Sequence, residues 1–247
     1  MARVRIRFAK LDKIRWTSHR DTARMWERAF RRARLPVGYT NGFSPRPRVS
    51  FGLALPTGHE SVAEYLDVEL TDSRPPDVLG LPAELSAALP VGVDALTAAI
   101  VDEHEPSLQE AVTSCTWRLA VVPVAPSSLA FSELNRRVEH MLAADTVVVS
   151  RQRKGTEVTD DIRPSILSLR LDDAQDESPG GFGLECELAA KPRSLRPSEL
   201  VAGLGPDLEE RQVRRMHQWI ERDGARWEPL SAPAAATTAP HAMERAL

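Results

Sequence analysis

Apolar periodicity along this chain switches from two to about 3.6 and back in a fixed order, and the order occurs twice. Val4, Ile6 and Phe8 alternate with Arg3, Arg5 and Arg7, so residues 2–9 read as a half-buried strand with a basic outer face. Ser18 with Asp21 three residues later reads as a capping box opening a helix from His19 to Arg34. Ala23, Trp26, Ala29, Phe30 and Ala33 form its apolar face, while Arg20, Arg24, Arg28 and Arg31 fall elsewhere, Glu27 being placed to pair with Arg31. Strands are expected at Val37–Thr40, Val49–Leu55, Glu64–Leu70 and Val91–Val101, with a short helix near Pro82–Leu89. The order is the β-α-β-β-α-β of the ferredoxin-like split βαβ unit with one further short strand between the helices.

The pattern restarts after residues 104–113, which read as a linker or short helix. Strands are expected at Thr116–Val124, Thr146–Arg153, Ile162–Leu171 and Phe182–Ala190, and helices from Ser132 to Ala144 and from Pro197 to Leu204. Lys154-Gly155 reads as a turn, and the stretch to Pro164 as a charged loop in which Asp161 and Arg163 pair with each other or across the halves. Val213–Glu221 fits a strand or a helix equally well. The fold class is therefore α+β, two ferredoxin-like halves in tandem: a basic half over 1–103, a linker over 104–113, a second half over 114–227, and a tail over 228–247. That tail, rich in Ala, Pro and Thr, reads as disordered. The duplication rests on element order alone, since no residue-level repeat is visible.

Charge separates the halves. Residues 1–52 hold 14 Lys and Arg against 3 Asp and Glu, a formal +11, while the remainder carries 18 against 32, a formal −14. A basic block without an amphipathic apolar anchor reads as a surface for a polyanion, RNA before membrane. Between the second and third expected strands lies Thr40-Asn41-Gly42-Phe43-Ser44-Pro45-Arg46-Pro47-Arg48. Asn-Gly favours a turn, and each proline fixes its own φ and extends the residue before it. A stiff loop can hold two guanidinium groups and an aromatic ring toward phosphate and base; the plain reading is a proline-rich loop with solvated arginines. The RNA-contacting candidates are Arg3, Arg5, Arg7, Arg20, Arg24, Arg28, Arg46 and Arg48, with Phe43 stacking on a base.

Catalytic motifs are few. There is no phosphate-binding glycine loop, no zinc-protease motif and no nucleophile elbow, and the six histidines are not spaced as metal ligands. His59 reads as a solvated turn residue and His19 as a surface or capping residue. Cys115 and Cys186 read as buried thiols in a reduced cytoplasmic environment. No apolar run approaches the length that crosses a bilayer, and the N-terminus lacks the apolar stretch of a signal peptide.

The runs RVRIRFAKLDKIRWTSHRD, RRARLPVGYTNGFSPRPRVSFGLALPTGHESVAEYLDVEL and KGTEVTDDIRP resemble the radical-SAM-linked family, DUF2344, over about residues 2–220. Matching positions include Phe8, Lys10, Ser18, His19, Asp21, Gly42, Phe43, Pro45, Pro47, Phe51, Glu64, Asp67, Asp161, Arg163 and Pro164; where relatives often carry His between the two prolines, this chain has Arg46. The resemblance implies association with a B12-binding radical-SAM enzyme. Its cluster needs three cysteines, so iron–sulfur cluster, SAM and B12 are expected on the partner and no cofactor or metal in this chain. The expected function is a non-catalytic, RNA-binding or substrate-presenting partner in RNA modification or processing. The alternatives are a metal-independent endoribonuclease using His19 or His59 as base, and a protein-docking scaffold without RNA.

Overall fold

A computed structural model describes residues 2–71, 77–102, 104–124, 129–153, 155–172, 181–222 and 224–230. The chain divides into two compact units, residues 1–112 with 218–247 and residues 113–217.

In the first unit β1 (Ala2–Lys10) is followed by a 3-10 turn over Asp12–Trp16, α1 (His19–Arg32), a short β2 (Val49–Phe51), β3 (Glu60–Leu70), α2 (Leu81–Ala88) and β4 (Val93–Val101). β1 lies between β4 and β3, antiparallel to both, and β2 adds to β3, giving the ferredoxin-like order 4-1-3-2. Val4, Ile6 and Phe8 share one face with Leu66, Val68 and Leu70, and α1 covers it with Trp26 and Phe30. The Trp26 ring meets Phe8 edge-on at 5.0 Å and Phe30 at 5.5 Å.

Several boundaries differ from the sequence reading. α1 stops at Arg32 and is capped by Ala33, because Arg34 turns to φ 51°. Val37–Thr40 forms only isolated bridges, and the next strand ends at Phe51 rather than Leu55. Residues 104–113, expected as a linker or short helix, do hold a one-turn helix, α3 (Leu108–Ala111), closed by a reciprocal capping box between Ser107 and Glu110. The expected disordered tail begins with packed residues: Leu230 is buried against Ala63, Tyr65 and Leu108. From 231 the tail lies outside the described residues.

The second unit comprises β5 (Val112–Pro123), α4 (Phe131–Ala143), β6 (Val148–Arg153), β7 (Thr156–Asp161), β8 (Ile166–Asp172), β9 (Phe182–Ala189), α5 (Pro197–Leu204) and β10 (Leu208–Arg222) up to residue 217; the end of β10, from residue 218, counts with the first unit, as does β11 (Ala225–Trp227), which pairs with it. The sheet order β10-β5-β9-β8 repeats the ferredoxin-like arrangement. The undecided stretch 213–221 is thus strand. The charged loop is a second arm of a hairpin, β6 with β7, standing as its own two-stranded sheet; Lys154 in its turn lies outside the described residues.

That hairpin is fixed by ion pairs. Arg151 and Arg193 each contact both Asp160 and Glu199, at 2.8 to 3.4 Å. The Arg151 hydrogen bond, reinforced by Arg193, holds the Asp160 carboxyl below its ordinary range. A carboxylate with a lowered folded pKa contributes fully above the unfolded value, and the contribution is lost as pH falls through the lowered one. Arg193→Ala is therefore expected to lower the amide-exchange protection factors of the hairpin strands at neutral pH, and acid to lower them in the unaltered chain, each relative to the intrinsic exchange rate at the same pH. Equal protection in variant and parent would show that the network does not dock the hairpin.

Candidate nucleic-acid interface

The basic block of the N-terminal segment is sorted by the fold into paired and displayed groups. Arg5, Asp67 and Glu105 form a buried cluster. Arg5 Nε and Nη2 donate to the two Asp67 carboxylate oxygens at 2.8 and 3.0 Å, and Nη1 donates to Glu105 at 3.2 Å and to the Pro229 carbonyl at 3.3 Å. Burial works to lower the Arg5 pKa, but the Asp67 and Glu105 carboxylates outweigh it and raise it. Arg7 pairs with Glu228 at 2.8 Å, and Arg3 donates to the carbonyls of Asp102 and Glu105. The basic outer face expected for β1 is thus covered from within the unit, and Arg3, Arg5 and Arg7 are not presented to a polyanion. The reason is in register: Arg5 sits opposite Asp67 on β3, so basic and acidic alternations meet face to face.

The arginines of α1 are different. Ser18 accepts from the Asp21 amide and donates to its carboxylate, setting the helix start. With Trp26, Ala29 and Phe30 buried, Arg20, Arg24, Arg28 and Arg31 are exposed. Arg24 has only a 3.5 Å contact with Asp21, and the expected Glu27–Arg31 pair does not form among the described residues.

Residues 38–48 form a narrow arm. The Arg48 amide donates to Gly38 O, Tyr39 bridges Pro47, the Thr40 amide donates to Arg46 O, and the Arg46 amide donates to Thr40 Oγ1. Gly42 turns the tip at φ +130°, a conformation L side chains rarely adopt. Arg48 is spent as a brace: it pairs with Glu69 at 2.9 Å and donates to Tyr39 O. Arg46 remains exposed, and Phe43, three residues before it in the arm, is fully exposed.

A polar cluster under the start of α1 escaped the sequence reading. Lys10 and Glu64 sit in the apolar phase of β1 and β3 and are 3% and 7% exposed. Lys10 Nζ donates to Thr17 O at 2.9 Å and to Arg15 O at 3.4 Å. Burial lowers its pKa, with the Glu64 charge opposing. The two residues line a cavity with Phe8, Thr22, Phe51 and His19. His19 is exposed at the mouth, its ring edge-on to Phe51 at 5.2 Å. The signal was available: after Val4, Ile6 and Phe8, the next residue in phase is a lysine. His59, expected to be solvated, is buried instead, which keeps it from an RNA backbone.

The remaining motif residues are architectural. Asp161 Oδ1 accepts the amides of Val147 and Arg163, and the Arg163 guanidinium donates to the carbonyls of Leu142 and Ile166. The two side chains stitch the hairpin to the end of α4 rather than pairing with each other, and Pro164 continues the turn between β7 and β8. Cys115 and Cys186 are buried and are not joined in a disulfide. Among the described residues no His, Cys, Asp and Glu side chains gather as a metal site, and no helix is long and apolar enough to cross a membrane.

The family described as "Uncharacterized protein conserved in bacteria (DUF2344)" matches residues 3–197. No curated protein matches the sequence. Among solved structures, a chain of a Cbf5-Nop10-Gar1 complex is 8% identical with a TM-score of 0.50, the match covering 87% of this chain and 48% of the other. A chain of an H/ACA ribonucleoprotein bound to a substrate RNA containing 2'-deoxyuridine is 8% identical with a TM-score of 0.48, covering 87% and 47%. This chain spans about half the length of each, and the first likeness shows the fold.

Proposed function

We propose that the chain, which belongs to the DUF2344 family, is a non-catalytic RNA-binding protein that presents RNA to a radical-SAM enzyme. The carrying observation is the arm: an entirely exposed phenylalanine and an exposed arginine, on a loop braced by Arg48 and by cross-arm hydrogen bonds. Burying a phenylalanine is worth about 1.5–3 kcal/mol, so a fold that holds one out in water is built to have something cover it. Arg46 of the same arm and the α1 arginines favour a polyanion with stackable rings over an apolar protein pocket. The enzyme partner rests on the family resemblance and on the cysteine count. Two buried thiols, Cys115 and Cys186, do not make the three-thiolate set a radical-SAM cluster uses, so cluster, SAM and B12 are assigned to the partner.

Cellular RNA, including tRNA and rRNA, titrated with the protein across a salt series tests the reading. Affinity should fall linearly in log–log form, with a slope of about 0.7 per single-strand phosphate contacted. Arg46→Ala should make the slope shallower by about one such contact. Phe43→Ala should weaken binding by about 1–3 kcal/mol at every salt concentration without altering the slope. Absence of binding at about 50 mM salt would refute the RNA reading.

A further inference from the structure

Trp16 stands 64% exposed just ahead of α1, although an indole gains more than most side chains by leaving water. The ring is nonetheless held. The edge of its six-membered ring comes so close to Gly58 that a Cβ there would stand 2.9 Å from it, and Gly58 itself turns at φ +90°. The Gly58 amide donates to Arg15 O at 2.9 Å. The Arg15 guanidinium lies 5.4 Å from the Trp16 ring centre and donates to Glu60 at 3.2 Å. Glu60 is buried at the start of β3 and also accepts the Asp12 amide. A glycine seat and an anchored arginine thus fix the ring while most of it stays in water. A large ring fixed in that way is ready to be covered at little ordering cost.

We infer that Trp16 is a second base-stacking platform, and that one unpaired RNA strand runs from it along α1 to the arm that carries Phe43. Both platforms are tied to β3 in the same way: Arg15 pairs with Glu60 near one end, Arg48 with Glu69 near the other. At about 3.4 Å per residue of antiparallel strand, the two ties are about 30 Å apart. α1 joins the same two ends. It starts at His19, just after Trp16, and ends at Arg32, just before Val37 bridges Leu70. Arg20, Arg24, Arg28 and Arg31 are exposed along it. At about 3.4 Å per stacked nucleotide the path holds about nine nucleotides, within the range of single-strand sites. A duplex offers a ring face only at its ends, so two aromatic platforms joined by a row of arginines select an unpaired strand. The inference rests on the RNA reading of this unit and adds the form of the RNA: unpaired, and long enough to reach both rings.

The test compares an unstructured RNA dodecamer with a tetramer of the same composition, both titrated with the full chain. On the dodecamer, Trp16→Ala and Phe43→Ala should each weaken binding about tenfold, and together about a hundredfold. The tetramer reaches one ring at a time, so either change alone should cost about twofold and the two together about tenfold. The dodecamer should also quench tryptophan emission of the unaltered chain. Trp16→Phe, which keeps a ring in place, should bind the dodecamer nearly as the parent does and lose most of that quenching. Parental dodecamer affinity in Trp16→Ala, the same Trp16→Ala loss on both lengths, or quenching that persists in Trp16→Phe would each overturn the strand path and leave the RNA reading standing. If neither oligonucleotide binds the unaltered chain, the RNA reading falls and the path falls with it.

Discussion

Asp67→Ala is expected to destabilise the first unit by about 3–5 kcal/mol, the range for removing one partner of a buried ion pair. Arg5 is 1% exposed, and its guanidinium has two bonds to Asp67, one to Glu105 and one to the Pro229 carbonyl. Without Asp67, half of these bonds vanish and a cation that cannot shed its proton stays desolvated. Glu105 compensates only in part, since a quarter of its side chain is in water. The paired substitution Arg5→Met with Asp67→Leu should recover most of the loss, because an apolar pair of similar volume has no charge to strand. Urea unfolding of the three proteins checks this. A loss below about 1 kcal/mol in Asp67→Ala would mean that water or a rearranged Glu105 reaches the guanidinium, and that the site is less closed than described.

Trp26→Ala should be of similar size, about 3–5 kcal/mol, by a different route. Trp26 is fully buried between Phe8 and Phe30 and is the largest side chain α1 contributes to the sheet. Truncation leaves a void that the stiff strand cannot fill. A domain is stable by only about 5–15 kcal/mol, so the loss takes much of the margin. Its value lies in contrast with Arg28→Ala. The arginine change should weaken RNA binding and leave the unfolding midpoint in place. The tryptophan change should lower the midpoint first and affect binding only as α1 loosens. If Trp26→Ala unfolds like the parent, α1 is not held by this ring, and the arginine row has no rigid base.

Much of this architecture was legible in the sequence where one face of an element is dry and the other wet. β1, α1, β3 and β9 carry clean periodicities, and their types follow. The misses share a cause. β7 is a strand with both faces largely exposed, so Thr156 to Asp161 carries no apolar alternation and reads as a charged loop. β10 buries Arg215 and Gln218, so its polar residues blur the period that would distinguish strand from helix. For the binding surface, α1 and the arm tip were readable from spacing and from proline and glycine chemistry. The fates of Arg3, Arg5 and Arg7 were not, because periodicity tells which residues share a face but not what covers it. Lys10 was legible only as a break in phase, and its meaning needed Glu64 from a strand about fifty residues away.

The clamps on residues 228–230 have a practical corollary. Arg5 and Arg7 hold Pro229 and Glu228 on the side of β1 that faces away from Val4, Ile6 and Phe8, whereas α1 packs on the side those three residues form. The chain therefore lies behind the sheet as far as Leu230. A fluorophore or affinity handle placed on that face, away from α1, leaves the arginine row of the helix facing solution. A handle at the other end of the strand, or on α1, would sit among the groups being measured.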